Sequence, residues 1–201
     1  RLYLNGTQIT DAGLAAVVEL PRLVALNLWQ TRITDAALKD LAKCPQLRSL
    51  DLSRTKITDA GLIELAKLHQ LTHLWMHNTR ITDASLGELA RLKQLVFLDL
   101  VGTETTDAGL KEVARLPNLT GLGLSWTGIT DVGVKEIIKL QRLEVLSLTE
   151  SKITDAGLKD LAKLPRLKEL YLHRTRITPA ALAEFQQALP KCKVFTRFTE
   201  K

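Results

Sequence analysis

Hydrophobic positions along this chain fall into two patterns that follow one another in a constant order. Between Leu23 and Gln46, Leu26 and Leu28 alternate with Asn27 and Trp29, the period expected of a strand with one face turned inward. Leu38, Leu41 and Ala42 then stand at i, i+3 and i+4, which is a helical stripe. The strand pattern returns at Leu143, Leu146 and Leu148, and a block reading ITDAGL, or close to it, joins the two patterns each time. Its opening isoleucine stands at Ile9, Ile33, Ile57, Ile81, Ile129, Ile153 and Ile177, with Thr105 in the one remaining place, so every step is 24 residues and nothing is inserted. The pattern predicts a repeat array of eight units, each a strand followed by a helix or helical turn, with the strands running parallel.

The frame L-x-x-L-x-L-x-x-T-x-I, carried by Leu23 to Ile33 and again by Leu143 to Ile153, resembles the leucine-rich-repeat family, with threonine or serine where most members have asparagine or cysteine. The following ITDAGLxxLAxL is similar to the cysteine-containing subclass of F-box and related proteins and to bacterial relatives, and Lys43-Cys44-Pro45 resembles its repeat ending. The ladder cysteine is absent, the units are shorter, and no F-box segment precedes them, so a ubiquitin-ligase role is not carried over. The resemblance implies an α/β solenoid of horseshoe form, with a parallel sheet on the concave face and helices on the convex face. It also implies recognition of a partner protein through the concave face.

Helix starts are marked by Thr10, Thr34, Thr58, Thr82, Thr106, Thr130, Thr154 and Thr178, each followed by aspartate except the last, which precedes Pro179. Proline suits the first helical position, so the threonine is the N-cap, worth about 0.5–2 kcal/mol by its loss to alanine. The aspartate is then expected to complement the helix dipole. A second hydroxyl ladder, Thr7, Thr31, Thr55, Thr79, Thr103, Thr127, Ser151 and Thr175, is expected to bond backbone at the turn. Gly13, Ala37, Gly61, Ser85, Gly109, Gly133, Gly157 and Ala181 keep each helix opening small, which would let adjacent units pack closely.

Leu2 and Leu4 already hold late strand positions, so the sequence reads as truncated at its N-terminus. Leu182, Phe185 and Leu189 continue the last helical stripe before Pro190 to Phe195 introduces charge into the strand frame, and residues 179–201 read as a C-terminal helix and cap. With no linker or composition break, residues 1–201 are assigned to a single domain, expected to be monomeric unless the uncapped N-terminal end self-associates. No apolar run reaches the 18 or more residues of a membrane span and no signal peptide is apparent. Cys44 stands in the slot of Leu68 and Cys192 in that of Leu167, both as small core hydrophobes several units apart, which favours a reducing, cytoplasmic compartment.

Three outward rows vary from unit to unit. One runs Tyr3, Asn27, Asp51, Trp75, Asp99, Gly123, Ser147, Tyr171, and the next Asn5, Trp29, Ser53, His77, Val101, Ser125, Thr149, His173. The third carries Ala25, Ser49, His73, Phe97, Gly121, Val145 and Glu169. Only 4% of the chain is aromatic, yet all three tryptophans and both tyrosines lie on these rows or, for Trp126, beside them. Interfaces enrich such anchors, although strand propensity alone also favours aromatics here. The candidate partner-binding residues are Tyr3, Trp29, Asp51, His73, Trp75, His77, Phe97, Asp99, Trp126, Tyr171 and His173.

No P-loop, CxxC, HExxH or nucleophile elbow occurs, and His73 and His77 are four residues apart on one strand, roughly 13 Å, too far for one metal ion. The expectation is a binding module with no enzymatic activity, cofactor or metal. With 28 Lys and Arg against 22 Asp and Glu, the net charge is +6. Arg32, Lys56, Arg80, Lys152 and Arg176, beside Arg54 and Arg174, would align into a basic edge, so nucleic acid or another polyanion is the alternative ligand. Glu104 and Gly128 interrupt that edge, and acid–base pairs one helical turn apart account for much of the remaining charge.

Overall fold

The computed structural model describes residues 1–20 and 22–196. Strands and helices alternate as β1 (Leu2–Tyr3), α1 (Asp11–Val17), β2 (Ala25–Asn27), α2 (Asp35–Leu41), β3 (Ser49–Asp51), α3 (Asp59–Leu65), β4 (His73–Trp75) and α4 (Leu86–Leu89). They continue as β5 (Phe97–Asp99), α5 (Asp107–Val113), β6 (Gly121–Gly123), α6 (Asp131–Ile137), β7 (Val145–Ser147), α7 (Asp155–Leu161), β8 (Glu169–Tyr171), α8 (Pro179–Ala188) and β9 (Lys193–Phe195). A 3-10 turn, Asp83–Ser85, opens the fourth helix. All nine strands form one open parallel sheet in sequence order, the concave layer of an α/β horseshoe with helices on its convex side. Residues pair at intervals of 24, as in Leu26↔Leu50 and Leu50↔Leu74, so each leucine stacks on its counterpart in the next unit.

Most of these helices span about two turns, too short to persist alone, and their stability comes from stacking. The buried ladder Leu26, Leu50, Leu74, Leu98, Leu122, Leu146 and Leu170 runs the length of one continuous core, closed from the helix side by residues such as Leu38, Leu62 and Leu110. Thr105, in the isoleucine ladder, is fully buried, and its hydroxyl is 2.9 Å from that of Thr103.

The threonine caps form as expected: Thr34, Thr58, Thr82, Thr106, Thr130 and Thr154 accept from the N–H two residues on, and Thr178 from Ala181. Thr10 makes no such bond. The aspartates do more than face a helix dipole. Each accepts two hydrogen bonds from the cap threonine of the following unit, as when Thr58 donates its N–H to Asp35 Oδ1 at 2.8 Å and its hydroxyl to Oδ2 at 2.6 Å. The clamp recurs from Asp11 to Thr34 through Asp155 to Thr178. It explains the small residue in the helix opening: a Cβ on Gly61 would sit 2.5 Å from Asp35 Oδ1 and 2.6 Å from Leu38 Cδ1. Where serine replaces glycine, Ser85 turns that approach into a hydrogen bond to Asp59 Oδ1 at 2.5 Å.

The second hydroxyl ladder also bonds as expected, from Thr7 to the Leu4 carbonyl through Thr175 to that of Leu172. Ser151 Oγ is the exception and is buried without a partner. One residue before each of these hydroxyls the chain enters the left-handed region: Gly6, Gln30, Arg54, Asn78, Gly102, Trp126, Glu150 and Arg174 all have φ between 53° and 69°. Six of the eight carry a side chain, against the general preference for glycine.

One expectation for the C-terminal end is corrected. The sheet has nine strands among the described residues, not eight, because Lys193–Phe195 adds a further strand, with Val194 paired to Leu170 in the leucine ladder. Its charged residue is tolerated because Lys193 alternates to the outside while Val194 turns in. Cys192 takes the turn position of Leu167 as expected, its N–H donating to the Leu189 carbonyl as that of Leu167 donates to the Leu164 carbonyl, but it stands one residue nearer its strand. α8 is ten residues long against seven in α7, and the register Glu169↔Lys193 sets Cys192 beside Lys168. The thiol is nonetheless buried, and burial raises its pKa to about 11. Cys44 lies before β3 and Cys192 before β9, six strand steps and roughly 29 Å apart, and both are free thiols. Phe185, 2% exposed, covers the core from α8 where the preceding helix has Leu161. Residues 197–201 of the expected cap lie outside the described residues. Among the described residues no helix is long and apolar enough to cross a membrane.

Candidate functional site

Parallel register brings the outward residues of neighbouring strands side by side. Trp75 pairs with Asp51 on one flank and Asp99 on the other. Each carboxylate also closes its own strand: Asp51 Oδ1 accepts the Ser53 N–H at 2.9 Å, and Asp99 Oδ1 accepts that of Val101 at 3.0 Å. Asn27 does the same for Trp29 at 2.9 Å. One oxygen of each acid is therefore structural. Asp99 Oδ2 lies 3.3 Å from His77 Nδ1, whereas Asp51 Oδ2 has no partner among the described residues. Burial raises the Asp99 pKa above its ordinary value, opposed by the Val101 N–H and His77 and reinforced by the Asp51 charge.

Beside these acids the rings form one cluster. His73 stacks on Trp75 at 5.8 Å and on Phe97 at 6.3 Å between centroids, and Trp75 and Phe97 meet at 5.4 Å with a 38° tilt. Gly121 makes room for it, since a Cβ there would be 2.5 Å from Phe97 Cδ2. On the β2 side of Trp75 a groove of about 510 Å³ opens over Ala25, Asn27, Ser49 and Asp51, with Arg1, Tyr3 and Arg48 also in its lining.

The remaining candidates stand apart from this cluster. Tyr3, 66% exposed, is three strands away. Trp29 is covered by the Arg54 guanidinium, 5.8 Å from its ring centroid. Tyr171 stacks face to face on Phe195 at 4.5 Å, and its hydroxyl donates to Glu169 at 2.9 Å, a bond that raises its pKa. His173 Nδ1 is buried without a partner on the same strand path. Trp126 is 58% exposed in a left-handed turn at the end of β6, outside the three rows. His73 and His77 go to different partners, Thr72 Oγ1 at 2.9 Å and Asp99. Sequence reasoning missed Phe195 and the pairing of Arg54 with Trp29. The alternation of Lys193, Val194 and Phe195 was the available signal for the first.

Charge is sorted by face. The six helix pairs expected from sequence all form on the convex side, Lys43–Asp40, Lys67–Glu64, Arg91–Glu88, Arg115–Glu112, Lys139–Glu136 and Lys163–Asp160, at 2.5 to 3.5 Å. At the turn edge, the bridges Thr34↔Lys56 and Thr58↔Arg80 carry the ladder from Arg32 through Lys56 to Arg80, and none of these three has an ion-pair partner among the described residues. Arg174 is paired with Glu150 at 2.8 Å.

Comparison with known proteins agrees with this architecture. The family model described as leucine-rich repeats (2 copies) matches residues 45–91, and a second, described as leucine rich repeat, matches residues 117–177. No curated protein sequence matches. Among solved structures, an internalin, InlF, from Listeria monocytogenes is similar over 100% of this chain and 54% of its own, with 24% identity and a TM-score of 0.78. Internalin C2 of the same organism is similar over 96% of this chain and 78% of its own, with 26% identity and a TM-score of 0.73. A leucine-rich-repeat protein of Leptospira interrogans is similar over 96% of this chain and 59% of its own, with 22% identity and a TM-score of 0.67. The chain thus spans about half the length of the InlF chain it resembles. The repeat frame, the single parallel sheet with its helical outer layer, and the two family matches together make this chain a member of the leucine-rich-repeat proteins.

Proposed function

We propose that this chain is a protein-binding module, acting as one domain and not as an enzyme, that recognises a partner protein through its concave face. Leucine-rich-repeat proteins generally serve as interaction scaffolds, typically without enzymatic activity. The observation that carries the reading is the half-buried stack of His73, Trp75 and Phe97 in front of a core built mainly from leucine. Rings held rigid by their neighbours lose little entropy on binding and are the residues interfaces use as anchors. Asp51, Asp99 and His77 frame the stack with polar groups, Trp29, Tyr171 and His173 extend the surface, and Tyr3 and Trp126 lie at its margins.

The test compares two variants in capture of the partner by the intact chain. Trp75→Ala is expected to weaken binding by about 2 kcal/mol or more. It is expected to cost about 1–2 kcal/mol in stability through the lost ring contacts. The second reading, a polyanion on the turn edge, is favoured by one observation, the succession of Arg32, Lys56 and Arg80, three cations with no ion-pair partner among the described residues. If reversing those three to glutamate abolishes binding while Trp75→Ala does nothing, the turn edge is the site.

A further inference from the structure

Arg54 and Arg174 occupy the same place in their units, the left-handed turn after β3 and after β8, with φ of 53° and 54°. Their partners differ. Arg174 donates to Glu150, the residue at that turn one strand earlier, at 2.8 Å. The corresponding neighbour of Arg54 is the uncharged Gln30, and on the other flank Asn78 turns its Oδ1 toward Gly102. Arg54 therefore has no ion-pair partner among the described residues, and its guanidinium lies over the Trp29 ring instead, 5.8 Å from the centroid. Resting on the concave-docking reading above, we propose that the partner protein places an aspartate or glutamate carboxylate on Arg54, in the role that Glu150 fills for Arg174.

A guanidinium stacked by its face on an indole keeps its N–H edge free to grip a carboxylate with two parallel hydrogen bonds. The stack also restrains a long side chain before the partner arrives, which lowers the entropy lost on binding. Charge on this flank has the matching sign. Arg32, Lys56 and Arg80 stand on the adjoining turn edge without ion-pair partners among the described residues, and Arg1 and Arg48 line the groove at the opposite ends of the same strands. The nearby carboxylates do not meet Arg54: Asp35 and Asp59 turn to the donors of Thr58 and Thr82, and Asp51 takes the Ser53 N–H and makes no ion pair. Such a surface is electrostatically complementary to an acidic residue. Trp29 beside the guanidinium supplies an apolar wall for the methylene carbons of that residue. Glu104 and Gly128 end the run of cations after Arg80, so the place suits one or two acidic side chains of a folded partner rather than a long phosphate backbone.

The probe is acetyl-Ala-Glu-Ala-amide, with a control peptide in which glutamine replaces glutamate and removes only the charge. Binding is read from the Trp29 indole N–H resonance of the intact chain at low salt. The expected result is a saturable shift with the glutamate peptide and at least fivefold weaker binding of the glutamine peptide. Arg54→Gln is expected to abolish that preference without unfolding the protein, because Gln30 already takes the same turn with φ of 55°. Gln30→Glu is expected to abolish it as well, by giving Arg54 the internal carboxylate that Glu150 gives Arg174. Gln187→Glu on the exposed side of α8 changes the net charge equally and is expected to leave the preference intact. Equal binding of both peptides, no response to either, or equal losses from Gln30→Glu and Gln187→Glu overturns the proposal. Tighter binding of the dinucleotide thymidylyl-thymidine, whose single phosphate matches the peptide in charge, also overturns it and makes the edge a phosphate site. The two readings fail separately: if Trp75→Ala weakens partner capture while Arg54→Gln and Gln30→Glu leave it unchanged, concave docking stands and the carboxylate assignment falls.

Discussion

Removing the Asp59 carboxylate separates two accounts of the aspartate ladder by magnitude. If these acids only complement helix dipoles, each contributes about 0.3–1 kcal/mol. The structure gives Asp59 three donors from the following unit: Ser85 Oγ at 2.5 Å, Thr82 Oγ1 at 2.6 Å and the Thr82 N–H at 2.9 Å. Hydrogen bonds to a charged group contribute about 1.5–3 kcal/mol each and are not additive within one network, so Asp59→Ala is expected to cost about 3–5 kcal/mol. Asp83→Ala, which loses only the two bonds from Thr106, should cost less, about 2–3 kcal/mol. Urea unfolding followed by circular dichroism at neutral pH measures both. A loss below about 1 kcal/mol in both variants would return the ladder to the dipole account and refute the clamp.

The same carboxylate sets an acid dependence. Burial alone would raise the Asp59 pKa above 3.8, but the hydrogen bonds from Ser85 and Thr82 outweigh it and hold the value lower. A carboxylate whose folded pKa is depressed stabilises the protein fully above the unfolded value and loses that contribution as pH falls through the folded value. The stability gap between wild type and Asp59→Asn should therefore be constant near neutrality and narrow only below about pH 4.

Trp126→Gly should leave stability unchanged or raise it by up to about 1 kcal/mol, since it removes a side chain from a left-handed turn while deleting mostly exposed surface, and a thermal melt checks it. A loss above about 1 kcal/mol would mean that the indole packs. Gly121→Ala should displace Phe97 and break the ring stack, visible as changed ring-current shifts at Trp75 and His73, with a stability loss of about 1–3 kcal/mol. Unchanged shifts would show that Phe97 does not rest on that glycine.

Much of the fold was legible because its period is uniform. Leucines spaced by 24 residues must stack once the strands are parallel, and that placed the concave rows, the caps and all six helix ion pairs. The aspartate clamp escaped because its partner is 23 residues away and the carboxylate's direction is a rotamer choice with no trace in the pattern. The left-handed turn was masked by Gln30, Arg54, Trp126, Glu150 and Arg174, which give no glycine signal. The ninth strand was hidden by the charge of Lys193, although only Val194 needs to face inward. Within the candidate site the register of Asp51, Trp75 and Asp99 followed from the repeat, but the grouping of rings did not. Trp29 turns to Arg54 and Tyr171 to Phe195, while Trp75 joins His73 and Phe97, and those choices depend on which neighbour is small enough to admit a ring.

Site-specific photocrosslinking tests concave docking most directly. A benzophenone-bearing residue is introduced in turn at Phe97 and Tyr171 on the sheet and at Ile63 and Val132, both well exposed on the helical side. The account predicts that Phe97 and Tyr171 crosslink to one and the same partner protein, and that the two helical positions do not. Adducts to that partner from Ile63 or Val132, with none from the sheet positions, would contradict it.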